Sequence, residues 1–579
     1  MKPFRIGINM AGAISAGAYT AGVLDFLTEA LDEWHSAKSR GDSVPMHQVS
    51  IEVMSGASAG GMCAAISALM LQEDFQHIHD VTVSGTTNRF YESWVNKIDI
   101  TDLLKTDDLQ SAPQVISLLD STIVTQIASY ALTPSNLLAV PRPYVSPTLT
   151  LFLSLTNLRG VPYSLNGAAP GSVEETTSFF GDRIRFQTIS PGETGPLDSH
   201  AYFLDASQAG AAGGWDVLQT AATATGAFPI FLAPRVLNRK HDEYTPPAWE
   251  SVASAIEQTP PPVPPSFPTN LADPMPTLNV DGGVTNNDPF NYAHDYLNSL
   301  LPLPLDGADA KAEDADRAVI NIAPFPATGK FDVDFNPGKE AGIFSVLPRL
   351  FAALLSQSRF FGESLIQIMN GTTFSRFVIA PSDPGMSGDD QIPALQCAAL
   401  GGFGGFLDRG FRAHDYVLGR RNCQKFLTDY FVLPADNVIM KPSLEDLSPE
   451  RYDEVIRKFK RPAPGTYSRN EETLIKLGLQ VPEAQKTATD VWLPIIPLCG
   501  ELSAEIMLIP RAVMTRGALA AVVGLILKRF AALMKVLIAQ IPSFWLRSFF
   551  RLGQPFIRVL ARGPLTNALI RELGDSYPH

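Results

Sequence analysis

Residues Ile51–Met70 read IEVMSGASAGGMCAAISALM, with Ser58 near their centre. Ile51, Val53 and Met54 have the pattern of a short buried strand, and Met62–Met70 the composition of a buried helix. Between them Gly56-Ala57-Ser58-Ala59-Gly60 forms a G-x-S-x-G turn. Between strand and helix this is a nucleophile elbow, in which Gly56 and Gly60 let the backbone fold back beside a strained serine. The serine oxygen then stands above the sheet at a helix N-terminus, where developing negative charge is favoured. Without chemistry, the same residues make a tight strand-to-helix turn.

Upstream, Phe4–Asn9 suits a first parallel strand, and Ala18–Trp34 a helix with Tyr19, Val23, Leu24, Leu27 and Leu31 on its apolar face. The loop between them has glycines at positions 12 and 17, the spacing of a phosphate loop. Ala18 and Tyr19 stand where that motif needs Lys and Ser or Thr, and Ala13 and Ile14 break the dinucleotide pattern. What remains is a loop of Gly12, Ala13, Ile14, Ser15 and Gly17, whose backbone N–H groups at a helix start can hold an oxyanion. The elbow follows the second strand, earlier than in α/β-hydrolases.

Downstream, His77-Ile78-His79-Asp80 has no second ligand set, and residues two apart on a helix diverge, so no metal is expected. Residues 90–132 carry helical patterns and read as an insertion beside the elbow, and Leu149–Leu155 as a buried strand. Ala221–Pro234 ends a helix and wraps into an apolar turn. Gln258–Thr277 holds eight prolines and reads as a surface loop. Then TLNVDGGVTNNDPF (Thr277–Phe290) brings a strand into Asp281-Gly282-Gly283, with a helix from Pro289 through His294 and Leu301. Asp281 reads either as an acid at a strand end or as an Asx turn. Asn286, Asn287 and Asp288 read as turn and cap residues. Arg317–Phe325 and Arg376–Pro381 suit further strands of the same sheet.

The hydrophobic fraction of 45% in 579 residues gives ample core, and a net charge of −14 argues against nucleic acid as a partner. Four scattered cysteines read as buried thiols in a reducing compartment. The N-terminal segment reads as strand, loop and helix instead of a signal peptide, which makes the expected location cytoplasmic.

The elbow after strand two, the loop after strand one and the late Asp-Gly-Gly together resemble the patatin-like phospholipases. GAYTAGVLDFL (Gly17–Leu27), ATGAFPIFLAP (Ala224–Pro234) and DGGVTNNDP (Asp281–Pro289) resemble that family's segments in the same order. The likeness spans roughly residues 1–382, and FRAHDYVLGRRNCQKFL (Phe411–Leu427) resembles an extension of large bacterial members. It implies an α/β chain with a three-layer α/β/α fold, a mostly parallel central sheet and a helical C-terminal extension. It also implies lipid ester hydrolysis by a Ser58–Asp281 dyad through an acyl-enzyme, with Gly282 and Gly283 in the aspartate motif and no metal or cofactor. A carboxylate of ordinary pKa, about 4, is a poor base for a hydroxyl, so the dyad needs a buried Asp281. The family's first loop carries three consecutive glycines and a basic residue; here two glycines and the basic residue are missing. Ser15 is a candidate hydroxyl donor, and Ile14 suits positive φ badly. Losing an oxyanion donor costs about 10²–10³ in rate, which leaves two readings: a slow or specialised hydrolase, and a lipid- or membrane-binding relative without catalysis. An esterase using His414 or His294 is a third.

The expected organisation is a catalytic domain over 1–382, a mixed helical extension over 383–510 and a basic tail over 511–579. Arg412, Arg420 and Arg421 are either phosphate-headgroup ligands or a solvated helix face. Between Ile506 and Arg571 there are ten Lys or Arg residues and no Asp or Glu. Lys528, Arg529, Lys535 and Gln540 fall within an arc of about 140° on a helix, and their position argues against a membrane span. SFWLRSFFRL, after Pro542, repeats the basic and aromatic theme. Two readings stand for 511–571: peripheral contact with an anionic bilayer at the inner membrane face, and packing against the catalytic domain.

Overall fold

The structure is a computed structural model. It describes residues 2–110, 113–135, 141–165, 175–189, 200–208, 210–244, 264–300, 311–325, 376–383, 394–463 and 491–540, with shorter pieces besides. In chain order its main elements are β1 (Phe4–Met10), α1 (Gly17–Arg40), β2 (Val49–Gly56), α2 (Ala59–Met70), α3 (Thr122–Ala131), β3 (Val145–Leu165), β4 (Glu175–Thr188) and β5 (Tyr202–Leu204). There follow α4 (Trp215–Thr225), β6 (Arg235–Arg239), β7 (Met275–Asp281), α5 (Phe290–Ser299), β8 (Arg317–Ile322), β9 (Arg376–Ile379), α6 (Arg409–Asp429) and α7 (Arg516–Ala539).

The central sheet runs β5-β4-β3-β2-β1-β8-β9, with β7 joined to β3 and to β6. The β1, β2, β3, β8 and β9 neighbours pair in parallel, as do β4 and β5; β3 pairs antiparallel with β4 and β7, and β6 with β7. Alternation sets the layers. Phe4, Ile6, Ile8 and Met10 of β1 join α1, α2, α4 and α6 in the main core. On the opposite face Val53, Phe152 and Val319 meet Phe290, Ala293 and Leu297 of α5. The chain is therefore a mixed α/β protein with three layers and a mostly parallel central sheet, as the sequence leads one to expect.

Several boundaries move. Helix α1 runs past Trp34 to Arg40, because the next stop signal is Gly41, which adopts φ 79° and takes capping bonds back to Ala37 and Lys38. Strand β7 begins at Met275, within the stretch read as loop, where Asn238 of β6 pairs with Pro276. The segment carrying His77 and His79 is loop, not helix; His77 bonds Asp25 at 2.9 Å and His79 bonds Glu29 at 2.9 Å. The core continues past residue 382: Ala413, Tyr416, Leu418, Phe426, Val432, Trp492 and Leu493 share it with α1.

In the described part of the tail, one face of α7 packs against the rest of the chain. Leu519, Val522 and Val523 of α7 pack with Leu103, Leu104 and Phe411. Arg529 turns inward, ion-paired with Asp108 and donating to the Leu118 carbonyl at 2.9 Å, while Lys528 and Lys535 stay exposed. A helical wheel places an arginine on an arc; the carboxylate and carbonyls within its reach decide where its head goes. The SFWLRSFFRL segment lies outside the described residues. Among the described residues no helix is long and apolar enough to cross a membrane.

Candidate active site

Between the end of β2 at Gly56 and the start of α2 at Ala59, Ser58 takes φ 52° and ψ −128°, a conformation that side chains disfavour. Its surroundings hold it there. The Ala57 N–H donates to the Met10 carbonyl at 3.2 Å, and the Ser58 N–H to Thr225 Oγ1 at 2.9 Å. Thr225 in turn donates to the Ser154 carbonyl at 2.6 Å. A Cβ on Gly60 would stand 2.1 Å from the Met10 carbonyl oxygen, so β1 and the elbow approach this closely only with glycine there. Sequence reading took Ala224–Pro234 as an apolar turn and missed Thr225, the one hydroxyl beside its glycine.

Asp281 comes from the far end of β7, whose antiparallel register sets Leu155 opposite Asp281. The Asp281 N–H donates to the Ala227 carbonyl at 3.0 Å, and Thr156 Oγ1 donates to the Asp281 carbonyl at 2.9 Å. Ser58 Oγ donates to Asp281 Oδ2 at 2.6 Å, and the Gly283 N–H donates to Oδ1 at 2.7 Å. Strand-end acid and Asx turn are thus both present, one carboxylate oxygen each. Burial pushes the carboxyl up to about 7, against the opposing pull of the Ser58 and Gly283 hydrogen bonds. Among the described residues no histidine bonds Ser58 or Asp281. His414 bonds Asp415 within α6, and His294 faces Asp295 and Arg376 on the opposite layer.

The first loop keeps its shape at a cost. Ile14 adopts φ 48°, an outlier for a β-branched residue; such strain costs on the order of 1–3 kcal/mol and persists where the surroundings enforce it. Here the enforcing segment is Gln396–Phe406. Ile14 lies against Gly402, and Ser15 Oγ donates to the Gly402 carbonyl at 2.5 Å while accepting from the Gly405 N–H at 3.0 Å. This corrects the reading of Ser15 as a donor to substrate, since its single proton is already committed. The N–H groups of Ala13 and Ile14 have no hydrogen-bond partner among the described residues, nor does that of Ala59 at the α2 N-terminus. The Gly12 N–H donates to the Asn287 carbonyl at 2.9 Å, tying the loop to the aspartate motif.

Ser58 and Ile14 line a half-open pocket whose empty space, counted together with the solvent at its mouth, is about 870 Å³. Its walls include Met62 and Ile66 of α2, Val124 and Ile127 of α3, and Phe403 and Phe406. It is apolar almost throughout, a shape and chemistry suited to a hydrocarbon chain. The helical segments after Phe90 form one wall, and Phe403 and Phe406 belong to the segment that braces Ile14 and Ser15.

Arg412 and Arg420 of α6 are structural. Arg412 donates to the carbonyls of Val95 and Gly405, at 3.1 and 2.6 Å, and Arg420 is buried against Asp25 and Glu29. Arg421 pairs with Glu505. This corrects the headgroup reading for Arg412 and Arg420: a guanidinium with its donors spent on carbonyls or buried carboxylates has none to offer a phosphate. Among the described residues no group of three or more His, Cys, Asp or Glu side chains is placed to hold a metal ion.

No protein-family model matches the chain. It is 36% identical over 469 residues to the uncharacterized protein y4iI of Sinorhizobium fredii, an alignment covering 75% of this chain and 66% of that one. Among solved structures, VipD from Legionella pneumophila aligns over 100% of this chain and 89% of its own, at 10% identity and a TM-score of 0.24. A likeness at that score carries no argument about the site.

Proposed function

We propose that the chain is a serine lipid acyl hydrolase of patatin-like type, cleaving carboxylic esters by a Ser58–Asp281 dyad. The observation that carries this reading is the 2.6 Å bond from Ser58 Oγ to a buried carboxylate, at the wall of an apolar cavity. Ser58 Oγ attacks the ester carbonyl as its proton passes to Asp281 Oδ2. The carbonyl oxygen takes the negative charge, facing the unpaired N–H groups of Ala13, Ile14 and Ala59. On collapse the C–O bond to the alcohol breaks, Asp281 returns the proton to the leaving oxygen, and the acyl chain stays on Ser58. Water then attacks the acyl-enzyme, giving its proton to Asp281, and Ser58 leaves reprotonated.

The test is hydrolysis of p-nitrophenyl esters and of a mixed phospholipid vesicle panel across pH. The base acts as carboxylate, so kcat/KM is expected to rise about tenfold per pH unit below about 7 and level above it. A flat profile from pH 5 to 9 would contradict the dyad. The missing basic residue in the first loop favours the other reading, a lipid-binding protein without catalysis. Vesicle binding with no hydrolysis at any pH would establish it.

Ser15 acts as a positioning residue. Ser15→Ala is expected to lower kcat about tenfold with KM nearly unchanged, less than the 10²–10³ of losing an oxyanion donor outright, and to lower the thermal midpoint because the buried Gly405 N–H and Gly402 carbonyl lose their partner. An unaltered kcat would show that the Gly402–Gly405 brace is irrelevant to the loop.

A further inference from the structure

Among the described residues, two serines stand in the otherwise apolar lining of the cavity, Ser58 and Ser93. The first is accounted for by Asp281. Ser93 sits in a π-helix, Glu92–Lys97, is 4% exposed, and its hydroxyl has no hydrogen-bond partner among the described residues. A serine in an α-helix commonly satisfies itself on the carbonyl four residues back. The wider π-turn spaces its carbonyls for pairing five residues apart, and Ser93 does not make that bond. The neighbouring Trp94 is buried with its indole N–H directed at the Cys63 thiol. An unmet buried hydroxyl destabilises the empty protein, and a ligand that brings the missing partner removes that penalty.

We infer that Ser93 is a polar reading point in the acyl cavity, selecting a chain that carries a hydroxyl part-way along its length over a plain hydrocarbon chain. The inference rests on the cavity holding the acyl group, as proposed above, but not on catalysis. A serine hydroxyl both donates and accepts, so it can pair with a substrate hydroxyl in either sense. A plain methylene chain leaves it orphaned. Discrimination arises because one ligand satisfies a buried group that the other leaves unpaired.

The experiment uses full-length Ser58→Ala protein, which cannot form an acyl-enzyme. It is titrated with octadecanoate and with octadecanoates hydroxylated at successive carbons, by displacement of a fluorescent fatty acid. One positional isomer is expected to bind about tenfold tighter than octadecanoate, the factor set by one net hydrogen bond. Adding Ser93→Ala is expected to bring that isomer down to the octadecanoate level while octadecanoate itself binds as before. Adding Ser93→Thr, which keeps a hydroxyl, should retain part of the preference. Equal binding of all isomers and octadecanoate, or a preference that survives Ser93→Ala, overturns the inference. If no chain binds at all, the acyl-cavity reading falls and takes this one with it. Binding with the stated preference in a protein that shows no hydrolysis leaves the inference standing and removes only the enzyme reading.

Discussion

Ser58→Ala is expected to lower kcat on a soluble ester by at least about 10⁴, and Asp281→Asn by about 10³–10⁴. The serine variant removes the atom that bonds to the acyl carbon. The asparagine variant keeps the shape and an oxygen for the Gly283 N–H, but it cannot take the serine proton. Because the two residues act on one proton, the double variant should be no slower than Ser58→Ala alone. A second readout separates lost chemistry from lost fold. Burial raises the Asp281 carboxyl to about 7, above its unfolded value of about 4. A group with a raised folded pKa contributes stability below its unfolded pKa and loses it as pH rises through the folded one. At pH 8 the folded protein therefore carries a buried carboxylate at a cost. Asp281→Asn removes that cost, so its thermal midpoint at pH 8 should lie above that of the wild type, with the gap closing toward pH 4. Inactivity together with a raised midpoint fits a carboxylate held for chemistry at the expense of stability. Retention of more than about a tenth of wild-type kcat in Asp281→Asn would rule the dyad out.

The elbow and the aspartate turn were legible because their signals are local. A strand pattern, two glycines around a serine and a small-residue helix occupy twenty consecutive positions, and sterics at Gly60 leave few other arrangements. What holds them is not local. Thr225 reaches Ser58 across 167 residues of sequence, and Ser15 reaches Gly405 across 390. No periodicity announces such a pairing. A weaker signal was available in Leu400–Phe406, LGGFGGF, where glycines between phenylalanines suit tight backbone beside an apolar wall. The helical arginines misled for a related reason. Spacing says which residues share a face, whereas Arg420 and Arg529 are placed by carboxylates on other segments, and the apolar stems of such side chains let them point inward.

Arg420→Met is expected to destabilise the folded protein by about 3–5 kcal/mol, the cost of stranding a buried carboxylate. The crossing of α1 and α6 sets this up. Side chains added at Gly22 and Gly419 would strike the carbonyls of Tyr416 and Tyr19, at 2.0 and 2.2 Å, so the two helix backbones touch. At that distance Arg420 enters the interface and pairs with Asp25 and Glu29. Asp25 also accepts from His77 at 2.9 Å, from the Ile78 N–H at 3.2 Å and from Asn88 at 2.9 Å. Burial alone would push its carboxyl up. The Arg420 charge, followed by the His77 hydrogen bond and charge and the Ile78 N–H, outweighs burial and brings it down to about 2. Methionine fills most of the arginine's volume, so the change isolates charge from packing. With Arg420 gone, Asp25 protonates more readily, and the penalty should shrink as pH falls from 8 toward 4. Asp25→Asn combined with Arg420→Met should recover a substantial part of the loss, because neither charge is then left alone. Urea titration followed by tryptophan fluorescence measures all three variants. A single Arg420→Met variant within about 1 kcal/mol of wild type at pH 8 would mean that water or a shifted Lys or His serves Asp25 as well as the arginine does. The measurement also bears on catalysis. The same helix carries Arg412, whose bond to the Gly405 carbonyl fixes the segment that braces Ile14 and Ser15. Loosening α6 at Arg420 should therefore lower kcat in the protein that remains folded, with the Ser58–Asp281 pair itself untouched.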